Sequence, residues 1–337
     1  MVWLKFAACL AIILVAGSQL SKYGDALGEK TRLGRVWIGI VLLATVTSMP
    51  ELATGVSSVT LLGKPDLTLG DLFGSNLINI VIIALLDIVY TKGPLIYYVS
   101  TSVIFVATLS AIFLALVATF MYIVQNVSSL SIANYIGLYS PILFGLFLLT
   151  QYMLFRYRPA EQENPANIIW RVRYERLTIR KVVIGFSLAA ITTVGAGIWL
   201  SYIGDEMARV TGLGTTFIGT LFLAAATSAP EIVVSFSAIR LGALDMAVGN
   251  ALGSNIFNMG VTIFVADLAY TKGPLFSYTT PEHMSTALFG VLMSCIIVTA
   301  LVFRLRYWSR ARLGGDTVLL VGLYVAAIVT LYMLATP

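Results

Sequence analysis

The stretch Thr47-Ser48-Met49-Pro50-Glu51 lies in the middle of a long apolar segment, and it returns 180 residues later as Thr227-Ser228-Ala229-Pro230-Glu231. In each copy the glutamate follows a proline, which interrupts the hydrogen bonding of a helix. An ionisable side chain within a membrane segment is costly and usually belongs to a functional site. Because both copies share one setting, this duplicated acid is the feature from which fold and function are inferred.

The composition of the 337-residue chain is that of a membrane protein. Hydrophobic residues make up 58% of it and charged residues 11%, and the mean hydropathy is +0.92. A soluble domain carries about 25% charged residues. Several apolar runs reach the ~20 residues that a helix needs to cross a bilayer. The sequence therefore predicts an all-α polytopic membrane protein.

Basic residues outnumber acidic ones, and the formal net charge is +5. Of the 21 lysines and arginines, seven fall in the polar segment from Arg156 to Lys181, and most others flank apolar runs. This distribution follows the positive-inside rule of membrane proteins. It does not form a nucleic-acid surface, so no nucleic-acid partner is expected.

The two halves of the chain are similar well beyond the glutamates. Gly74-Ser75-Asn76 corresponds to Gly253-Ser254-Asn255, and residues 90–95 are repeated unchanged at 270–275. Glycines beside these motifs are expected to let helix backbones approach closely. The repeat predicts three units, which are a first repeat at 1–155, a charged linker at 156–181 and a second repeat at 182–337.

Apolar stretches predict five helices in each half. In the first repeat they lie at 3–22, 36–62, 69–89, 98–124 and 132–155. In the second repeat they lie at 182–208, 215–240, 247–268, 284–303 and 316–334. An odd number per half gives the halves opposite orientations, so we expect ten transmembrane helices arranged as two inverted five-helix repeats. Residues in the middle of equivalent helices then meet near the bilayer centre.

The basic residues also predict the orientation in the membrane. With the N-terminus outside, 17 of the 21 lie on the side of the linker and 4 on the other side. The positive-inside rule then places both termini outside and the 156–181 linker in the cytoplasm. The first apolar run could pass for a signal peptide, but its internal counterpart at 182–200 indicates a retained first helix.

Oxygen-bearing groups surround each glutamate in the predicted helices. Pro50 removes a backbone donor, so carbonyls in the preceding turn are expected to lack partners, and such carbonyls line cavities or bind cations at membrane depth. Ser75 and Asn79 share one helical face because they are four residues apart, as are Ser254 and Asn258. The candidate site residues are Glu51, Glu231, Thr47, Ser48, Ser75, Asn79, Thr227, Ser228, Ser254, Asn258, Ala44 and Ala224.

This set contains no sulfur or imidazole ligand, and a single histidine excludes a histidine-ligated metal site. Oxygen ligands suit a hard cation, and Ca²⁺ takes about 6–8 of them in flexible geometry. Two simpler interpretations stay open. A buried glutamate could hydrogen-bond a neighbouring helix, and the hydroxyls at 47, 48, 227 and 228 could bond the carbonyls of their own helices.

Three aspartates invite other interpretations. Asp87 and Asp267 could form the acid pair of an intramembrane aspartyl protease, but the inverted topology puts them near opposite membrane faces. We expect them instead to cap helix ends or to pair with Lys92 and Lys272. Asp71 either caps a helix N-terminus or adds an acid at the outer ion entrance.

The repeated motifs resemble those of the cation/calcium exchanger superfamily, whose two α-repeats carry TS-x-PE followed by a GSN-containing segment. Here they read TSMPEL with GDLFGSNLIN and TSAPEI with GNALGSNIFN. The resemblance implies the Na⁺/Ca²⁺ exchanger fold, with ions held between the second, third, seventh and eighth helices and with Glu51 and Glu231 as central ligands. It also implies that the first and sixth helices slide across this core.

Some positions depart from the family pattern. Val46 and Ala226 replace the glycine that usually precedes TS, and Asp71 stands where asparagine is usual. Asn79 and Asn258 are amides where many sodium- or potassium-coupled members carry aspartate, so K⁺ dependence is not expected. Two glutamates neutralise one Ca²⁺ or two protons, and proton coupling therefore stays open beside Na⁺ coupling.

The expected function is secondary antiport of Ca²⁺ against Na⁺, with an H⁺/Ca²⁺ exchanger as the alternative and a channel or an intramembrane hydrolase less favoured. Ca²⁺ and Na⁺, or H⁺, are then transported ions, and the lipid bilayer surrounds the protein. No organic cofactor, enzymatic activity or obligate protein partner is expected. The linker is too short for a large calcium-sensing domain, which favours a compact prokaryotic type in the plasma membrane.

Overall fold

The computed structural model describes residues 1–30, 42–90, 93–126, 131–132, 135–156, 177–303 and 314–335. Most of the predicted linker lies outside these ranges, and so do Lys92 and the first residues of the second predicted helix. The described part is almost entirely helical.

The helices of the first half begin and end close to the apolar runs that predict them. They are α1 (Val2–Lys30), α2 (Ala44–Thr47 and Met49–Thr60), α3 (Pro65–Val89), α4 (Thr101–Asn126) and α5 (Tyr139–Arg156). Pro65 stands in the first turn of α3, where its missing N–H costs nothing. α1 continues well past its apolar run, through a polar stretch, and ends at Lys30.

The second half repeats this order, with two local widenings into π-helix. Its helices are α6 (Ile179–Thr211), α7 (Thr215–Ile218, π-helical Gly219–Leu223, Ala224–Thr227 and Ala229–Arg240), α8 (Leu244–Phe257, π-helical Asn258–Thr262 and Ile263–Ala269), α9 (Glu282–Phe303) and α10 (Gly315–Ala335). π-bulges are rare and occur often at functional sites.

Seven helices in the described ranges are long and apolar enough to cross a membrane, and the number rises to eight if the bent α7 counts as one span. The two parts of α7 meet at an angle of 42°. This set of apolar helices makes the chain an integral membrane protein.

The fifth predicted helix begins later than expected. It was predicted from residue 132, but α5 begins at Tyr139. Ser131–Ile132 instead pairs antiparallel with Ile136–Gly137, a small exception to the predicted all-α fold. The reason is tertiary, because the carboxylate of Asp267 in α8 accepts hydrogen bonds from the backbone N–H of Gly137 and the hydroxyls of Tyr139 and Ser140. These bonds fix the start of α5.

Two repeat-related helices, α1 and α6, pack along each other and also cover the broken helices of the opposite half. Gly17 of α1 lies against Pro230, and a Cβ built there would be 2.4 Å from the proline ring. Gly197 of α6 lies against Pro50, and its Cβ would be 2.9 Å from the Pro50 carbonyl oxygen. Glycine is required where a helix backbone comes this close to its neighbour.

The backbone of α3 also comes very close to the π-helical segment of α7. A Cβ at Gly70 would lie 2.7 Å from the carbonyl oxygen of Thr216, and one at Gly74 would lie 2.2 Å from that of Thr220. The expectation that these two glycines allow close backbone approach is confirmed. The contact brings the middle of α3 against the break in α7.

Aspartates at repeat-related positions join the two halves at their helix starts. Asp66, at the start of α3, accepts a hydrogen bond from the backbone N–H of Thr280, which precedes α9 (2.7 Å). Asp245, at the start of α8, accepts one from the N–H of Ser100, which precedes α4 (2.7 Å). A carboxylate at a helix N-terminus satisfies unpaired N–H groups. Each half therefore caps a helix of the other.

We predict that Gly197→Ala destabilises the protein while Gly195→Ala does not. The Cβ at 197 would collide with Ala53 and Pro50, whereas a Cβ at 195 meets nothing within 4 Å. Overpacking of this kind costs about 1–3 kcal/mol. The midpoint of thermal unfolding of each purified variant in detergent measures the effect. Equal midpoints for both alanine variants would contradict the close contact between α6 and α2.

Candidate cation site

Both copies of the TS-x-PE motif break their helices in the same way. Ser48 has φ −84° and ψ 9°, and Ser228 has φ −78° and ψ 1°. The break is tight, since the N–H of Ser48 still reaches the carbonyl of Ala44 at 3.1 Å, and that of Ser228 reaches Ala224 at 3.0 Å. The prediction that carbonyls of the turn before Pro50 lack partners is therefore wrong for Ala44, and the Ala224 carbonyl likewise has a partner. Each nevertheless has a second lone pair that can bind a cation.

A first group of polar side chains is the Thr47 cluster, defined by Thr47, Ser48, Glu231, Asn250 and Ser254. The hydroxyl of Thr47 is 3.4 Å from the oxygens of both Asn250 and Ser254. Ser254 donates to Glu231 Oε1 at 3.1 Å, and Ser48 contacts the same oxygen at 3.4 Å. The carbonyl of Ala44 lies 3.5 Å from Ser254 Oγ. Helices α2, α7 and α8 thus converge on one set of oxygens.

A second group is the related Thr227 cluster, which consists of Thr227, Asp71, Ser75 and Glu51. Thr227 donates to Asp71 Oδ1 at 2.9 Å, and its hydroxyl is 3.1 Å from that of Ser75. The Ala224 carbonyl is 3.4 Å from Thr227 Oγ1. Glu51 lies within electrostatic reach of Asp71 and Glu231. Each cluster combines residues of both halves.

Several polar atoms in this region are buried and have no hydrogen-bond partner among the described residues. The carboxylates and amides concerned are fully buried. The atoms are Oε1 and Oε2 of Glu51, Oε2 of Glu231, Oδ2 of Asp71, Oδ1 of Asn79, both amide atoms of Asn258 and Oγ of Ser228. An unsatisfied buried polar group is costly and calls for an unseen partner. Oxygens that a cation would bind meet this requirement.

The amides behave differently in the two halves. Asn79 Nδ2 donates to Asn255 Oδ1 at 2.9 Å, and Asn255 Nδ2 donates to the carbonyl of Asn76 at 3.3 Å. Asn258 begins the π-helical segment of α8 and has no such partner in the described residues. Hydrogen bonding through nitrogen leaves the Asn79 oxygen free to ligate an ion.

The site acids lack a basic counter-charge in the described part of the chain. The ion pairs found there are Lys5–Glu206, Lys64–Asp205 and Arg209–Asp205, and His283 contacts Asp66. None of them involves Glu51, Glu231 or Asp71. Nor do three His, Cys, Asp or Glu side chains in these ranges converge as a compact metal cluster. Neutral oxygens would therefore have to complete the coordination of any ion.

Asp71 and Asn250 belong to the two clusters, but neither residue is among the candidate site residues predicted from the sequence. The interpretation of Asp71 as an N-cap was wrong, because α3 begins at Pro65 and Asp71 is fully buried in the helix. A signal was available in the sequence. Asp71 precedes Ser75 by four residues and Asn250 precedes Ser254 by four, so each lies one turn away on the same face.

Asp87 and Asp267 lie apart from both clusters and fix loops. Each accepts a hydrogen bond from a backbone N–H eight residues later, that of Leu95 or Leu275, at 2.6 Å. Asp267 also holds the start of α5 and forms no ion pair with Lys272 in the described ranges. An aspartyl dyad is therefore not formed. With the three bonds at the start of α5, the Asp267 carboxylate accepts four hydrogen bonds among the described residues.

Helical membrane architecture and buried oxygen clusters around unpaired acids are typical of membrane proteins that transport hard cations. A family model described as sodium/calcium exchanger protein matches residues 1–153 and again residues 181–333. The chain belongs to the sodium/calcium exchanger family, within the cation/Ca²⁺ exchanger superfamily. Membership of this family points to a transporter rather than to an enzyme.

The sequence is also similar to individual proteins. The chain is 24% identical over 306 residues to the inner membrane protein YrbG of Escherichia coli, covering 88% of this chain and 86% of that protein. It is 36% identical over 125 residues to the sodium/calcium exchanger MaX1 of Methanosarcina acetivorans, covering 37% of this chain and 33% of MaX1.

Two solved structures share the fold. The sodium-calcium exchanger NCX_Mj superposes with a TM-score of 0.63 at 20% identity, covering 98% of this chain and 99% of the other. An H⁺/Ca²⁺ exchanger, CAX, superposes with a TM-score of 0.71 at 13% identity, covering 100% of this chain and 87% of the other. At these identities the likeness shows the fold alone.

We predict that Asp267→Asn lowers stability by about 1–3 kcal/mol, because the amide cannot accept all the hydrogen bonds that the carboxylate receives. Glu206→Gln is the matched control, since Glu206 is half-exposed and pairs with the half-exposed Lys5. The control should change stability by less than about 1 kcal/mol. Thermal unfolding in detergent compares the two. An unchanged midpoint for Asp267→Asn would show that the bonds at the start of α5 contribute little.

Proposed function

We propose that the protein is a secondary antiporter that exchanges Ca²⁺ for Na⁺ by alternating access. The observation that carries this proposal is the pair of fully buried glutamates, Glu51 and Glu231, which stand at repeat-related helix breaks without a basic partner in the described residues. A bare carboxylate in this setting is stabilised by a cation or a proton. The names of two similar proteins include ions of both kinds, the sodium/calcium exchanger MaX1 and the H⁺/Ca²⁺ exchanger CAX.

The proposed site uses the oxygens of both clusters as ligands. Oxygens that bind Ca²⁺ at about 2.3–2.6 Å are roughly 2.8–3.5 Å from one another in a six- to eight-fold shell. The spacings in the Thr47 cluster, 3.1–3.5 Å, fit such a shell better than a set of short hydrogen bonds. The proposed ligands are Glu51, Glu231, Thr47, Ser48, Ser75, Asn79, Thr227, Ser228, Ser254, Asn258 and the carbonyls of Ala44 and Ala224.

The membrane arrangement that we propose has ten transmembrane helices in two inverted repeats, 1–155 and 182–337, joined by the 156–181 linker. The Asp66–Thr280 contact groups the starts of α3 and α9, and the Asp245–Ser100 contact groups the starts of α4 and α8. Each contact joins a helix start of one half to a helix start of the other half. An inverted repeat requires such equivalent contacts to lie at opposite membrane faces. The excess of basic residues on the linker side supports a cytoplasmic linker and external termini.

Alternating access would come from movement of α1 and α6 against the rest of the protein. Both helices cover the proline breaks through glycines, Gly17 against Pro230 and Gly197 against Pro50. Their other faces carry exposed apolar side chains such as Val15 and Ile191, as expected of lipid contact. A pair of helices that touches the site through small residues can shift without separating large interlocked side chains.

The coupling ion is proposed as Na⁺, with H⁺ as the alternative. The MaX1 relative, a sodium/calcium exchanger, is 36% identical over the matched region, which favours Na⁺. The alternative is supported by charge, since two protons would neutralise both glutamates. Neutral Asn79 and Asn258 make K⁺ coupling the least favoured choice.

We predict that Glu51→Gln and Glu231→Gln each reduce Ca²⁺ transport by more than about 100-fold. Removing one charge from a buried ionic site costs about 3–5 kcal/mol, and each 1.4 kcal/mol is about tenfold in affinity. Uptake of ⁴⁵Ca²⁺ into proteoliposomes measures the effect, with Glu206→Gln as the control that keeps wild-type uptake. Full exchange by either glutamine variant would sink the proposed mechanism.

The same vesicles identify the coupling ion. One set is loaded with Na⁺ at matched pH, and the other has an acid interior without Na⁺. Uptake that follows only the Na⁺ gradient supports the proposal, and uptake that follows only the proton gradient assigns the alternative. Ca²⁺ flux that needs neither gradient would contradict antiport and indicate a channel.

A further inference from the structure

Positions 71 and 250 occupy the same place in the two halves but differ in charge. Asp71 and Asn250 each precede the serine of the GSN motif in their helix by four residues. Each accepts from the threonine of the opposite half, Asp71 from Thr227 at 2.9 Å and Asn250 from Thr47 at 3.4 Å. The two positions therefore have the same helix spacing and the same kind of hydrogen-bond donor. They differ in charge, because position 71 carries a carboxylate and position 250 an amide.

The two side chains differ in what satisfies their remaining atoms. Asn250 donates through Nδ2 to Ser235 Oγ at 3.4 Å, so both ends of its amide are used. Asp71 is fully buried, and its Oδ2 has no hydrogen-bond partner among the described residues. A buried carboxylate is strongly disfavoured unless charges or donors reach both of its oxygens. The free oxygen of Asp71 thus indicates a missing partner.

Asp71 also interacts electrostatically with both glutamates of the site. Its charge acts on Glu51, and that of Glu231 acts on Asp71. The three acids do not converge on one point, consistent with the lack of a compact cluster of such side chains in the described ranges. A cation near these acids would lower the repulsion among all three.

A purely structural role for Asp71 would not require its charge. Thr227 needs only an oxygen acceptor, and the amide of Asn250 performs that role for Thr47. The burial of a carboxylate where an amide would suffice is therefore unexplained by helix packing. A cation that interacts with the negative charge would explain it.

We propose that Asp71 is a third anionic residue of the cation site. It places two carboxylates, Asp71 and Glu51, in the Thr227 cluster and one, Glu231, in the Thr47 cluster. This inference rests on the proposed transport function. The acids together carry three negative charges, so they neutralise one Ca²⁺ with a monovalent ion, or three monovalent ions, which the two glutamates alone do not.

The test measures equilibrium binding of ⁴⁵Ca²⁺ to the purified full-length protein in detergent, without Na⁺. The variants are Asp71→Asn, Asn250→Asp and the double exchange of both. We expect Asp71→Asn to weaken binding at least about tenfold, because it removes a charge next to the ion but keeps the acceptor for Thr227. Asn250→Asp should tighten binding, and the double exchange should recover most of the loss by returning the charge in the other half.

Wild-type affinity in a folded Asp71→Asn variant would overturn the inference, because an acceptor role alone predicts that result. If that variant fails to fold, Asn250→Asp decides the matter, and an unchanged affinity there would also overturn it. Glu231→Gln in the same assay separates this inference from the proposed function. Binding that is lost in Glu231→Gln but kept in Asp71→Asn leaves the exchanger in place and removes only the role of Asp71.

Discussion

Acidic side chains inside a membrane without a basic partner are the constraint on which this structure depends. Glu51 and Glu231 are fully buried, and the ion pairs in the described ranges lie elsewhere. Such groups are far too costly to keep unless an ion or a proton compensates them. The helix breaks, the converging hydroxyls and the amides around them are all consistent with that need.

The helix breaks can serve this purpose because the surrounding helices come unusually close. Glycines 17 and 197 let α1 and α6 lie directly on the prolines, and Gly70 and Gly74 let α3 lie on the backbone of α7. Close contact between backbones packs the helices tightly around the two clusters. In the proposed transport cycle, the small residues at these contacts would also let the helices shift.

The internal symmetry is close but incomplete, and the differences concern chemistry more than architecture. Caps, loop anchors and helix breaks occur in pairs, such as Asp66 with Asp245 and Asp87 with Asp267. At the site, Asp71 and Asn250 stand at equivalent positions of the two halves, and each accepts a hydrogen bond from a threonine of the other half. Duplication supplies equivalent positions, whereas the binding of ions of different charge needs no symmetry. Divergence at a few ligand positions can therefore change selectivity without altering the fold.

The sequence by itself determined the membrane class, the extent of most helices, the repeat and most of the candidate ligands, because apolar runs and a duplicated TS-x-PE motif are local signals. Tertiary structure decided what depends on contacts between halves. The hydrogen bonds of Asp267 fix the start of α5 at Tyr139, and the fold places Asp71 beside Thr227 instead of at a helix cap. These features join residues more than 100 positions apart or depend on where a helix begins, and no local pattern records such a contact.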